Sequence, residues 1–194
     1  MENVRYRVKN LLLEHYGGVS GIYFSRPADN DAVTFLNDVE REALANKDLS
    51  GARRIIDECA EHSIAIVTKQ DAIYPNRLSA IYDPPLVLYV RGRLPNIDDM
   101  CAVAVVGTRS ATPYGLKMGK RMGYDITRCG GLVISGLARG VDAAAAEGAM
   151  EAGGGCVGVL GTAIDDESTN TGICADTAFF GALVSEYPPG APTH

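Results

Sequence analysis

Histidine is scarce in these 194 residues: there are three, at positions 15, 62 and 194, too scattered to hold a metal ion. The five cysteines (Cys59, Cys101, Cys129, Cys156 and Cys174) are odd in number and include no C-x-x-C pair. They read as reduced thiols in or beside apolar runs, not as a redox or metal centre. Long apolar stretches are missing too, since none approaches the about 18 residues of a membrane span. The opening MENVRYRVKNLLLEHYGG has an early Glu2 and a short amphipathic period, which is not the build of a secretory leader. These absences predict a cytoplasmic protein with neither metal nor membrane segment. What is present, 46% hydrophobic and 22% charged residues, is the balance of a globular chain long enough for one full domain plus a small one.

The net charge of −6, taken alone, speaks against a nucleic-acid partner. Its distribution speaks differently. Residues 1–61 hold eight basic and eleven acidic side chains, residues 62–130 nine and five, and residues 131–194 one and eight. A basic middle third between acidic neighbours is a clue to a binding surface.

Residues 1–61 carry helical periodicity only. Val4, Val8, Leu11 and Leu12 form one stripe, a second pattern spans 29–46 after a turn-rich stretch, and a third begins near Ser50 and carries Ile55, Ile56 and Cys59 inward. These patterns predict a small helical domain over 1–61. From residue 62 to 194 short β runs take over: 63–68, 86–90, 101–106, 131–135, 156–160 and 181–186, with helical patterns at 113–128 and 140–152 between the middle ones. Near-continuous apolar strands alternating with helices predict an α/β domain with a Rossmann-like, mostly parallel sheet and helices on both faces. Functional loops then belong at the carboxyl ends of the strands.

Three such ends draw attention. VVGTRSATPYG (105–115) follows the third run; Thr112 is a good N-cap and Pro113 a good first helical residue, so backbone N–H groups point at the loop and favour an anion. Arg109 adds a planar fork suited to phosphate. Neither G-x-G-x-x-G nor G-x-x-x-x-G-K-[ST] is present, which disfavours an adenine dinucleotide and leaves no cofactor implied. Behind the loop, Gly115, Gly119 and Gly123 recur on one helical face, a sign of close packing against backbone. Lys117, Lys120, Arg121, Tyr124 and Arg128 form another stripe, either a solvated face or a phosphate track. The next run ends in Ser135-Gly136-Leu137-Ala138-Arg139-Gly140-Val141-Asp142, which adds a hydroxyl, a second guanidinium and an acid in a first helical turn. Leu160-Gly161-Thr162 closes the set. Small residues, hydroxyls and arginines on adjacent strand ends make a shallow cradle.

These segments resemble the DNA-processing protein A (DprA/Smf) family: VVGTRSATPYG, GLVISGLARGVDAAAAEGAMEAGG, VLGTAID and GALVSEYPPGAP, with YPNRLSAIYDPPLVLYVRG (74–92) upstream. The resemblance runs from about residue 50 to 190. It implies a non-enzymatic, cytoplasmic protein that binds single-stranded DNA and passes it to the RecA recombinase during natural transformation and recombination. It also implies a SAM-like character for the helical domain and a homodimer for the full-length protein. Matched residue by residue, Gly107, Thr108 and Arg109 fall on the family's phosphate-binding loop, and Ser135, Gly136, Ala138, Gly140 and Asp142 on its second loop; Ser110 and Arg139, within the same two segments, join them as candidate DNA contacts.

The sequence departs from the family pattern in three places. Ala146 stands where a histidine is usual, DDESTN (165–170) replaces a stretch with Tyr-Pro, and the chain stops at Pro192-Thr193-His194, where relatives continue into a Phe-x-x-Arg-Asn segment. It therefore reads as C-terminally incomplete. Two other readings compete with a DNA binder. One is a nucleotide phosphoribohydrolase-like enzyme on the same architecture, of whose P-G-G-x-G-T-x-x-E signature LGTAIDDE (160–167) is a poor imitation. The other is an interaction module that has lost DNA binding.

Overall fold

The structure, a computed structural model, describes residues 4–166 and 171–192 and divides into two units. The first runs up to Arg53 and takes in Ile81–Pro84 as well. It holds four helices, α1 (Tyr6–Tyr16), α2 (Val19–Phe24), α3 (Pro27–Asp31) and α4 (Asp38–Ala45), and the start of α5 (Ser50–Glu61). Val4, Val8 and Leu12 of the predicted stripe are buried with Ile22, Val33, Leu36 and Leu44, whereas Leu11 is exposed. The single helix expected over 29–46 is two short ones. Asn37 stops the run and caps α4: its side chain accepts from the Glu40 N–H at 2.9 Å, and Glu40 accepts from the Asn37 N–H at 3.0 Å. The separate piece 81–84 is tied to α1, where the Asn10 amide donates to Asp83 at 2.9 Å and to the Pro84 carbonyl at 3.3 Å.

The second unit, Arg54–Ala80 with Pro85 onward, is built on a six-stranded sheet in the order β1-β2-β6-β5-β4-β3. Its strands are β1 (Ile64–Thr68), β2 (Val87–Gly92), β3 (Ala102–Ala104), β4 (Leu132–Ser135), β5 (Cys156–Ala163) and β6 (Ala182–Tyr187). All six predicted runs are strands. From β3 to β6 the pairing is parallel, as the alternation with helices requires. The β1–β2 and β2–β6 pairs are antiparallel. The link between β1 and β2 offers only α6 (Asn76–Ser79) among several prolines, and so has no helix long enough for a crossover.

Because β3, β4, β5 and β6 lie side by side in chain order, right-handed crossovers put all their connecting helices on one face. These are α7 (Pro113–Arg128), α8 (Val141–Glu151) and α9 (Thr171–Phe180). Val133, Cys156 and Leu183 bury towards that face, where Ala145, Ala146 and Ala149 of α8 and Cys59 of α5 meet them. Ile55 packs there too, but Ile56 turns outward with 55% exposure. Leu132, Val157, Ala182 and Val184 point to the opposite face, which Leu78 of α6, Leu94 and a 3-10 turn at Ile97–Asp99 cover. Helices thus lie on both faces, unequally. The alanine run of α8 follows from its place: surrounded by sheet and helices, it has no polar stripe to show. Its neighbour α9 shows no helical period for a related reason, since TGICADTAFF is mostly apolar and its one charge, Asp176, makes no stripe.

The glycine face of α7 meets α8 backbone to backbone. A methyl at Gly123 would fall on the Ala145 carbonyl, one at Gly148 on the Lys120 carbonyl, and one at Gly119 would stand 3.1 Å from the Val141 carbonyl. Gly115, one turn earlier, has ordinary space around it. Two of the three predicted glycines therefore set the approach of the helices.

Candidate functional site

β3 is short and its ladder continues one residue further, the Val105 N–H donating to the Ile134 carbonyl at 2.9 Å. The chain then turns outward through Gly107, Thr108, Arg109 and Ser110, all exposed. Two features fix this loop from beneath. The Gly107 N–H donates to Asp142 Oδ1 at 2.8 Å, and Gly140, at φ +108°, lies with its Cα against the Thr108 carbonyl, where any side chain would collide. The Val141 N–H reaches that same carbonyl at 3.3 Å. Within the loop, the Ser110 N–H donates to the Thr108 hydroxyl at 3.2 Å. Thr112 caps α7 by accepting from the Gly115 N–H at 3.1 Å, with Pro113 in the first turn, so the positive end of a 16-residue helix opens beside Arg109.

The second predicted loop turns out to be the support of the first. Ser135 is 2% exposed, and its hydroxyl donates to the Val105 carbonyl at 2.9 Å. Asp142 is 6% exposed, and its carboxylate is engaged with Gly107. A side chain on Gly136 would crowd the other oxygen of that carboxylate. Leu137 enters the core completely, in a left-handed backbone conformation with φ 55°. Ala138 is half-buried, and its carbonyl accepts from the Ala143 N–H at 3.1 Å. Arg139 alone of this segment stands exposed with a charge.

The third predicted end is not a loop. β5 continues through Leu160-Gly161-Thr162 to Ala163 across an irregular register, and the Thr162 carbonyl accepts from the Ser185 hydroxyl at 2.5 Å. Of the DDESTN stretch, Asp165 accepts from the Gly190 N–H at 3.0 and 3.1 Å, and residues 167–170 lie outside the described residues.

The basic stripe of α7 divides by its partners. Lys120 pairs with Glu151 at 2.9 Å, and the hydrogen bond and charge of that carboxylate hold its pKa above the usual lysine value. Arg121 pairs with Asp125 at 3.3 Å. Lys117, like Arg109 and Arg139, is exposed with no ion pair among the described residues. The structure thus brings three uncompensated cations, a helix N-terminus and a backbone-rigid loop to the carboxyl side of β3 and β4. Such a surface has the positive charge and the backbone donors that suit an anion. The tie between Asp142 and Gly107 is invisible in the sequence, where an acid in a first helical turn reads as a cap.

Among the described residues no three histidine, cysteine or acidic side chains gather as metal ligands, and no helix is long and apolar enough to cross a membrane.

Comparison with known proteins places these loops in company. The family described as DNA recombination-mediator protein A matches residues 65–194. Protein Smf of Synechocystis is 27% identical over 186 residues, covering 93% of this chain and 47% of that protein. The DNA processing protein DprA of Bacillus subtilis is 30% identical over 138 residues, 70% of this chain and 46% of that one. The chain spans about half the length of these two relatives. The crystal structure of DNA processing protein A from Streptococcus pneumoniae superposes with a TM-score of 0.80 at 24% identity, over 98% of this chain and 65% of that one. DNA processing protein A from Helicobacter pylori, a structure concerned with a single-stranded DNA binding mode, gives 0.59 at 24% identity, over 70% and 60%. At such identities the superpositions speak for the fold alone.

Proposed function

Since the chain belongs to the DNA recombination-mediator protein A family, we propose that it binds single-stranded DNA by its phosphates at the Gly107–Ser110 loop, with Arg109 as the main contact and Arg139, Lys117 and the α7 N-terminus beside it. The observation that carries this reading is the division of labour between the two loops. Asp142, Gly140 and Ser135 hold the first loop from below, so Arg109 is presented on a backbone that has already been ordered. Thr108 and Ser110 lie within the same surface; Lys120 and Arg121, held by Glu151 and Asp125, contribute little to it. Ser135, Gly136, Ala138, Gly140 and Asp142 act on DNA only through the loop they support.

We read the protein as a binder and not an enzyme, because Asp142, the acid of these loops, is buried and committed to a backbone N–H. Handover of the strand to a RecA-type recombinase is part of this proposal, and the family's description as a recombination mediator supports it. A cytoplasmic setting agrees with five free cysteines, two of them fully buried. A homodimer belongs to the same reading.

The test is fluorescence anisotropy of labelled oligo-dT with the parent chain and Arg109→Ala across a salt series. Salt-sensitive binding that weakens in the variant supports the reading. Equal affinity of the two proteins would overturn it.

A further inference from the structure

At the amino ends of the parallel strands, away from the Gly107 loop, lies a cavity of about 520 Å³. This is within the range of about 300–1,000 Å³ usual for small-ligand sites. Its walls are the turns that lead from α7, α8 and α9 into β4, β5 and β6. Each of those turns places a glycine (Gly131, Gly155 or Gly181) immediately before its strand. Those glycines are forced by backbone packing: a methyl at Gly181 would fall on the Cys156 carbonyl, and one at Gly155 on the Phe180 carbonyl. The concavity is therefore a product of close chain approach, and the side chains that remain on it are few and chemically definite.

Two of them are aromatic. Phe179 and Phe180, at the end of α9, are 84% and 57% exposed, and their rings meet edge to face at 5.0 Å and 86°. The contact with Phe180 steadies Phe179 while leaving most of its ring open to solvent. A third is the exposed guanidinium of Arg93, which has no side-chain partner among the described residues; its backbone N–H is anchored to the Gly181 carbonyl at 2.7 Å. The fourth is Thr127, whose hydroxyl oxygen is buried and without a hydrogen-bond partner among the described residues. An open aromatic face and one free guanidinium beside a largely apolar hollow match a planar ring bearing an anionic group.

We propose that this cavity binds a nucleotide unit, its base stacked on Phe179 and its phosphate on Arg93. Two sources share that chemistry, a free mononucleotide and one nucleotide of a bound strand. Helix α7 spans the distance from the Gly107 loop to this cavity, since it starts at Pro113 beside the loop and its last turn, with Thr127, lines the hollow. At about 1.5 Å per residue that path is about 24 Å long. A flat apolar patch would suit a protein partner better; the hollow shape and its guanidinium favour the nucleotide.

The experiment is a titration of the isotope-labelled full chain, following the amide signals of Gly130, Gly131, Gly154, Gly155 and Gly181, first with thymidine monophosphate and then with oligo-dT of increasing length. Saturable shifts of these signals that weaken about tenfold in Phe179→Ala, as expected for one lost base stack, and in Arg93→Ala, support the proposal. They should persist in Arg109→Ala, which separates this site from the phosphate loop. Shifts with monophosphate assign a free nucleotide, and shifts with long oligonucleotide alone assign a nucleotide of the strand. Shifts confined to Gly107–Ser110, or indifferent to Arg93→Ala, overturn it. So does movement of the same glycine signals on simple dilution, which would make the Phe179 patch a contact between copies of the chain.

Discussion

Arg109 owes its position to groups that never reach the surface, and neighbouring substitutions should therefore separate binding from stability. Arg109→Ala removes an exposed side chain at a strand end; it should weaken oligo-dT binding by about 1–3 kcal/mol, the worth of a charge-assisted hydrogen bond, while thermal unfolding stays put. Asp142→Ala should do both kinds of damage. It leaves the Gly107 N–H without its acceptor, a loss of about 1–3 kcal/mol in unfolding free energy, and frees the loop that carries Arg109. A variant that binds less but melts like the parent would contradict the supporting role of Asp142. Glu40 sits in the other unit and gives a pH test. The Arg5 guanidinium, at 2.8 and 3.0 Å, and the N–H groups of Asn37 and Arg5 lower its pKa from 4.5 to about 2. A carboxylate lowered in the folded state adds stability above pH 4.5, and that stability fades as pH falls from there towards 2. Glu40→Gln should flatten this part of the stability curve, measurable by denaturant unfolding between pH 6 and pH 3. At this scale the exposed loop position of Arg109, after a strand and before a capped helix, was legible in the sequence, and the structure has it there. The sequence could not announce Ser135 and Asp142 as inward-facing, because a hydroxyl or a carboxylate reads alike whether it meets a ligand or a backbone group 30 or 35 residues away in the chain.

Between elements, the contact of α7 with α8 sets how steeply a mutation is felt. Gly123→Ala and Gly148→Ala each place a methyl on a carbonyl of the facing helix, so the helices must move apart; each should cost about 1–3 kcal/mol, the usual penalty of overpacking. Gly115→Ala meets nothing closer than 3.5 Å and gains helix propensity, so its effect should stay within about 1 kcal/mol and lean to the stabilising side. Thermal melts of the three variants would check this ordering, and a destabilised Gly115→Ala with a neutral Gly123→Ala would refute it. The glycine stripe was legible because three glycines at helical spacing are expensive unless something needs the room. The antiparallel pairing of β1, β2 and β6 was not, since a strand's own residues carry its burial and not its direction. Nor was α9, where a mostly apolar composition erases the period of 3.6 on which the reading depends.

For the whole molecule, the number of free cations should govern the response to salt. Single-strand binding loses about 0.7 unit of log affinity per decade of salt for each phosphate neutralised. Arg109, Arg139 and Lys117 alone would give a slope of about −2, and adding Lys120 and Arg121 would steepen it to about −3.5. Because Lys120 and Arg121 already hold Glu151 and Asp125, the shallower slope is expected, with little preference among base sequences; a flat line would exclude a phosphate surface altogether. The overall charge of −6 hides this patch, and only its division along the chain made it visible. The strand order also shapes how a ligand leaves. Where β3 to β6 follow one another without reversal, the helices between them keep to one face and no switch point falls among these four strands. The Gly107 loop, exposed throughout and following the outermost strand of the described sheet, is accordingly a ledge. A molecule lodged in a crevice must depart whole, but a polymer lying on a ledge can be peeled away sideways, one contact at a time. For the proposed ligand, release then becomes an exchange: an incoming strand takes each contact as the outgoing one gives it up, and the lifetime of the complex shortens as competing strands accumulate.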